Sequence, residues 1–206
     1  MKQTLEEYLN AISHYVGAGL SVIALVLMII KSSKTLEAGY ILGCVIFGLA
    51  LIFLYSMSGT YHILKKGKAK NIFRVLDHVA IYVLISASYT PYIFTVLHGK
   101  TRWIVFCAQW GLTLFGIIFK MFFTGRFKAV STLIYLFMGW MVMFVFKDIK
   151  LSLSTMSLDF LITGGIIYSV GALFYMMKNL KFSHCIWHMF VIGGSLFNFL
   201  SIYYIV

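Results

Sequence analysis

Apolar residues in this chain gather into seven long runs, divided by short polar connections. The approximate limits of the runs are Ser13–Ile30, Ala38–Tyr61, Val75–Leu97, Trp103–Phe123, Ala129–Phe146, Leu158–Met177 and His184–Val206. Each is close to the ~20 residues that a helix needs to cross a bilayer core. Each is also about twice the length of a spanning strand, so helices are predicted throughout. The expected fold is all-α: a seven-transmembrane helix bundle forming one domain over residues 1–206. The connections are too short to fold separately. The apolar run that begins near Val16 ends at Lys31 with no small-residue cleavage site, and Glu6 and Glu7 stand where a leader would be basic. The first run therefore reads as a retained span.

Composition agrees with this pattern. The chain is 61% hydrophobic and only 11% charged, against roughly 25% charged in a soluble domain. So few charges cannot cover a water-exposed surface. The formal charge of +11 would suit nucleic acid if it were clustered on one face. Here it is spread between apolar runs, so it reads as a topology signal and nucleic acid is excluded as a partner. With the N-terminus inside, the inner segments hold eleven basic residues: Lys2, Lys65, Lys66, Lys68, Lys70, Arg74, Lys120, Arg126, Lys128, Lys178 and Lys181. The outer segments hold six: Lys31, Lys34, Lys100, Arg102, Lys147 and Lys150. The positive-inside rule then predicts a cytoplasmic N-terminus and an external C-terminus. The Lys65–Lys70 cluster reads as an anchor to anionic lipid. Cys44, Cys107 and Cys185 form no paired framework and read as small apolar residues.

Polar residues inside apolar runs are costly and mark candidate functional positions. His184 and His188 are four apart, on one helix face at the start of span seven. Ser58 and His62 share a face at the end of span two. Asp77 and His78 open span three. Under the predicted topology all of these lie at the cytoplasmic level, whereas His98 lies at the opposite one. Three imidazoles, His62, His184 and His188, make a zinc site with an open position. Zinc lowers the pKa of its bound water toward ~7. Asp77 would orient or deprotonate that water, or support a ligand imidazole. Ser58 would donate to the water or to an oxyanion. The plain alternative is a set of interfacial histidines bonded to backbone or headgroups. Glu7, Asn10 and His14 stand at i, i+3 and i+7 before span one, on one face at the same level; Glu7 also reads simply as an acid favoured by the helix dipole.

Two further features concern packing. Pro91 lies inside span three and predicts a kink, with Ser88 or Thr90 satisfying the freed carbonyl. Gly39 and Gly43 form a small-xxx-small pair suited to close helix contact, and Gly164-Gly165 and Gly193-Gly194 read the same way.

Taken in order, Glu7-x-x-Asn10-x-x-Ser13-His14, Ser58-x-x-x-His62, Asp77, Ser88 to Pro91 and His184-x-x-x-His188 resemble the hemolysin III family over essentially the whole chain. That family sits with the progestin and adipoQ receptors and, more distantly, the alkaline ceramidases. The resemblance implies seven helices, a cytoplasmic N-terminus and a multi-pass protein of the bacterial plasma membrane. It implies zinc held by His62, His184 and His188, with Asp77 linked through water and Ser58 one turn before the first ligand. The short stretch before span one departs from the receptors, which sets a hormone-signalling role aside.

Three functions are expected to compete. The first is an intramembrane zinc hydrolase acting on amide or ester lipids, with Asp77 and Ser58 as catalytic residues and membrane lipids as partners. The second is a pore-forming cytolysin, which would need a polar lining through the whole bilayer. The third is a sensor or lipid-homeostasis protein with zinc as a structural staple.

Overall fold

The computed structural model describes residues 5–177 and 180–205; Lys2 and Lys178 of the charge count, and Val206 at the end of the seventh run, lie outside them. The helices are α1 (Leu5–Ser33), α2 (Ala38–Ile63), α3 (Lys68–Thr95), α4 (Gly99–Phe123), α5 (Lys128–Trp140), α6 (Phe146–Ser152), α7 (Thr155–Met176) and α8 (Ser183–Tyr203). A 3-10 segment, Met141–Val145, joins α5 to α6. Counting Lys128–Ser152 as one unit, seven helical units among the described residues are long and apolar enough to cross a membrane. No strand occurs among the described residues. The chain is a multi-pass all-α membrane protein.

The centre of the bundle is α2. Half of its most apolar stretch, 50%, is buried inside the protein, against 22–39% for the other spans. The remaining apolar surface faces outward, as lipid solvation requires. Small residues on α2 let its neighbours approach closely. Any Cβ on Gly43 would fall 2.5 Å from Pro91 Cα, and one on Gly39 would fall 3.0 Å from the Phe94 carbonyl oxygen, so the small-xxx-small pair is the seat of α3. Of the two predicted glycine pairs on α7 and α8, only one member of each makes a tight contact. Gly164 faces the Gly194 carbonyl and Gly194 faces the Tyr168 ring, whereas Gly165 opens onto empty space and Gly193 makes only ordinary contact.

Polar side chains tie the helices together where no water can serve the backbone. Tyr40 donates to the Ile202 carbonyl (2.8 Å), and Tyr92 donates to Ser201 (2.6 Å), fastening α2 and α3 to α8. Ser201 also bonds the Ser157 carbonyl of α7 at 2.7 Å.

The proline helix differs from expectation in one respect. Thr90 bonds the Ser86 carbonyl at 2.9 Å and Ser88 bonds the Ile85 carbonyl at 2.8 Å. Neither reaches Ala87, whose carbonyl the proline frees, and α3 nevertheless continues to Thr95. The fifth span differs too. The apolar run predicts its end at Phe146, but the helical path breaks at Met141 and resumes to Ser152. The break has a local cause: the Tyr89 hydroxyl donates to the Gly139 carbonyl (2.6 Å) and accepts from the Val142 N–H (2.8 Å). A side chain inserted into the backbone ladder is a known origin of such interruptions.

Candidate metal centre

The helix ends bring the site together. His62 lies in the last turn of α2, and His184 and His188 lie in the first turns of α8. Ahead of α8, Phe182 adopts a left-handed backbone (φ 59°) that turns the chain into the helix. The i, i+4 spacing then sets both α8 imidazoles on one face, toward the end of α2.

One nitrogen from each of His62, His184 and His188 lies within 4.8 Å of the other two. His62 Nε2 and His184 Nε2 stand 3.2 Å apart. Two ligands of a tetrahedral zinc ion, each at ~2.0–2.1 Å, are separated by ~3.3 Å. The donor chemistry also fits: three neutral imidazoles suit a divalent transition metal, and no thiolate is present to close the shell. His62 and His188 are buried, at 2% and 1% exposure.

A cavity of about 30 Å³ adjoins the triad, lined by His14, Ser58, Asp77, His78, His184 and His188 among others. That is room for roughly two waters. Ser58 and Asp77 both line it, and the buried Ser58 Oγ has no hydrogen-bond partner among the described residues. Asp77 also stands 3.5 Å from His78 Nδ1, but that nitrogen lies 2.8 Å from the Arg74 carbonyl, which holds the ring one turn back on α3. His98 sits at the other end of the bundle, at the start of α4, beside Arg102.

The structure adds two partners that spacing alone left open. His14 lies flat on His188, with ring centroids 3.5 Å apart and planes 12° apart. Both of its ring nitrogens, and Asn10 Oδ1, lack hydrogen bonds among the described residues, although both residues are buried. Buried polar atoms of this kind are ordinarily satisfied, so the cavity beside them is suited to a water or a polar ligand group. Glu7 reaches His62, with Oε1 at 3.4 Å from Nδ1. The i, i+3, i+7 pattern of Glu7, Asn10 and His14 was the only sequence signal for this face of α1.

A second cavity, of about 160 Å³, lies between α3, α5, α7 and α8. Its walls are almost wholly apolar and aromatic, and it shares Leu54, Ile81, Tyr175, Trp187 and Val191 as lining with the small cavity. On its far side it is bounded by Trp140, Met143 and Ile162, which are 42%, 56% and 39% exposed on the lipid-facing surface. The interrupted fifth span forms this rim.

Residues 2–199 match the family described as Haemolysin-III related. The chain is 40% identical to Hemolysin-3 of Bacillus cereus over 201 residues, covering 98% of this chain and 92% of the relative. It is 43% identical to the Hemolysin-3 homolog of Bacillus subtilis (strain 168) over 190 residues, covering 92% and 89%. A more distant relative is the human Monocyte to macrophage differentiation factor, 29% identical over 168 residues, covering 77% of this chain and 68% of that protein. No solved structure matches.

Proposed function

The chain belongs to the haemolysin-III-related family, and from that premise we propose that it is a zinc-dependent intramembrane hydrolase of amide or ester lipids. His62, His184 and His188 hold the metal. When bound, zinc supplies Lewis acidity and activates water at neutral pH. Asp77 takes the proton from the attacking water and returns it to the leaving amine or alcohol. Ser58 donates a hydrogen bond to the oxygen of the carbonyl as negative charge develops there. Water adds at the carbonyl carbon, the C–N or C–O bond breaks, and a fatty acid and an amine or alcohol leave. The N-terminus and the site face the cytoplasm in this reading, as the distribution of Lys and Arg favours.

The observation that carries the reading is the wall that the two cavities have in common. A small polar chamber beside three clustered histidines shares five lining residues with a larger apolar one whose rim is exposed to lipid. A dry cavity of ~150 Å³ already accepts an apolar molecule as large as benzene, so 160 Å³ suits part of an acyl chain. A chain held there puts its carbonyl toward the histidines and excludes water from the reaction.

The names of the Bacillus relatives raise the alternative of a pore. A conducting path needs polar lining through the full bilayer, and the larger cavity is apolar. Dye release from liposomes that persists in His188→Ala would support the pore instead. The direct test is to purify the protein, quantify zinc and assay fatty-acid release from a panel of lipid amides and esters. Wild type is expected to hold one zinc and release fatty acid; His188→Ala is expected to do neither. Zinc without turnover on any lipid would sink the hydrolase and leave the metal as a staple between α2 and α8.

A further inference from the structure

Resting on the metal reading, we infer that Glu7 is a positioning residue: its carboxylate fixes the tautomer and orientation of His62 from outside the ligand set. Ring geometry assigns the two nitrogens of His62 to different tasks. Nε2 faces His184 Nε2 at 3.2 Å, on the side of the proposed metal. Nδ1 faces Glu7 Oε1 at 3.4 Å, on the opposite side of the ring. A carboxylate there favours the Nδ1–H form, which leaves the Nε2 lone pair free for a cation and raises its basicity. At 3.4 Å the contact falls outside hydrogen-bond geometry and acts on the ring through charge; a cation drawing charge from the imidazole would tighten it.

Glu7 is itself held. Its other oxygen, Oε2, takes a 2.6 Å bond from Lys70 Nζ. Lys70 also donates to the Leu64 carbonyl at 3.1 Å, just past the end of α2. The carboxylate is thus fastened to the same helix end that carries His62, and α1 contributes to the site without supplying a ligand. The buried Asn10 and His14 seat this face of α1 against the cluster.

A bland alternative is that Glu7 only neutralises Lys70 and docks α1. The two roles predict different metal affinities. Zinc affinity is measured by chelator competition on the full chain in detergent, for wild type, Glu7→Ala, Glu7→Gln and Lys70→Met. Helicity and monodispersity are checked alongside. Loss of such a supporting partner typically weakens metal binding ~10–100-fold. That loss is expected for Glu7→Ala, with a smaller one for Glu7→Gln, which keeps an acceptor oxygen. Lys70→Met, which keeps the carboxylate but loosens its tether, should lose less affinity than Glu7→Ala. The visible spectrum of the cobalt-loaded protein should change more in Glu7→Ala than in Lys70→Met. Equal zinc affinity in wild type and Glu7→Ala overturns the inference, and so does a Lys70→Met loss as large as that of Glu7→Ala. If Glu7→Ala does not fold, Glu7→Gln decides in the same way. A wild type that binds no zinc removes the metal reading and this inference together, which separates the two failures.

Discussion

Two walls of this bundle are built differently. The wall of α1, α2, α3 and α8 is closely packed: a Cβ on Gly43 would meet Pro91, and one on Gly17 would meet the Tyr55 ring at 2.8 Å. Tyrosines cross it as tethers, with Tyr55 bonded to Ser195 at 2.7 Å and Tyr40 bonded to the end of α8. The wall of α5, the 3-10 segment and α7 is open. Gly165 faces empty space, the fifth span is interrupted by Tyr89, and the larger cavity lies behind it. All three clustered histidines stand on the close-packed wall. The contrast teaches how the two proposed tasks divide. Metal ligands must hold their geometry to within a few tenths of an ångström, which dense packing provides. A lipid must enter and leave sideways, which a loosely packed, broken helix permits.

The largest expected effect tests whether the close-packed wall is also held by metal. In zinc at a thousand times its Kd, the metal would contribute ~4 kcal/mol of stability. Chelation should therefore lower the Tm of wild type markedly and leave His188→Ala unmoved; a wild-type Tm indifferent to chelator would break the link between site and wall. Next is Gly43→Val, which drives a branched side chain into the Pro91 backbone and should cost about 3 kcal/mol. Thermal unfolding in detergent measures it, and a normal Tm would show that the contact yields. The smallest effect sharpens the other wall. Gly165→Leu has open space for its side chain and narrows the larger cavity. It should leave Tm and zinc content unchanged while lowering kcat/KM on long-chain substrates about tenfold, or ~1.4 kcal/mol. Equal turnover of long and short chains would place the acyl group elsewhere.

Much of the fold was legible because its determinants are local. A run of apolar residues is either long enough to cross hydrocarbon or it is not, and seven runs were. The candidate site was half legible. The spacing of His184 and His188 implies a shared face, and Ser58 and His62 follow the same rule. Placing His62 beside them took a topology built on Lys and Arg alone. The stacking of His14 on His188 and the reach of Glu7 to His62 leave little trace in one sequence, since they depend on how deeply α1 is seated. The interruption of the fifth span was illegible. It arises from Tyr89 of a different helix, and the residues around Met141 are as apolar as their neighbours. The assignment of Ser88 or Thr90 to the carbonyl freed by Pro91 was wrong for a related reason: both hydroxyls found other carbonyls on their own helix.

The sequence by itself determined the number of spans, the helical state of each and the chemistry available at one end of the bundle. Those follow from hydrocarbon thickness, backbone hydrogen bonding and helical period, which act within a segment. Only the tertiary structure decided that three histidines from two helices converge to within 4.8 Å, that a carboxylate from a third stands behind one of them, and that an apolar cavity shares a wall with the chamber beside them. Those depend on contacts between segments distant in the chain, where the size of one glycine or the reach of one tyrosine sets the spacing.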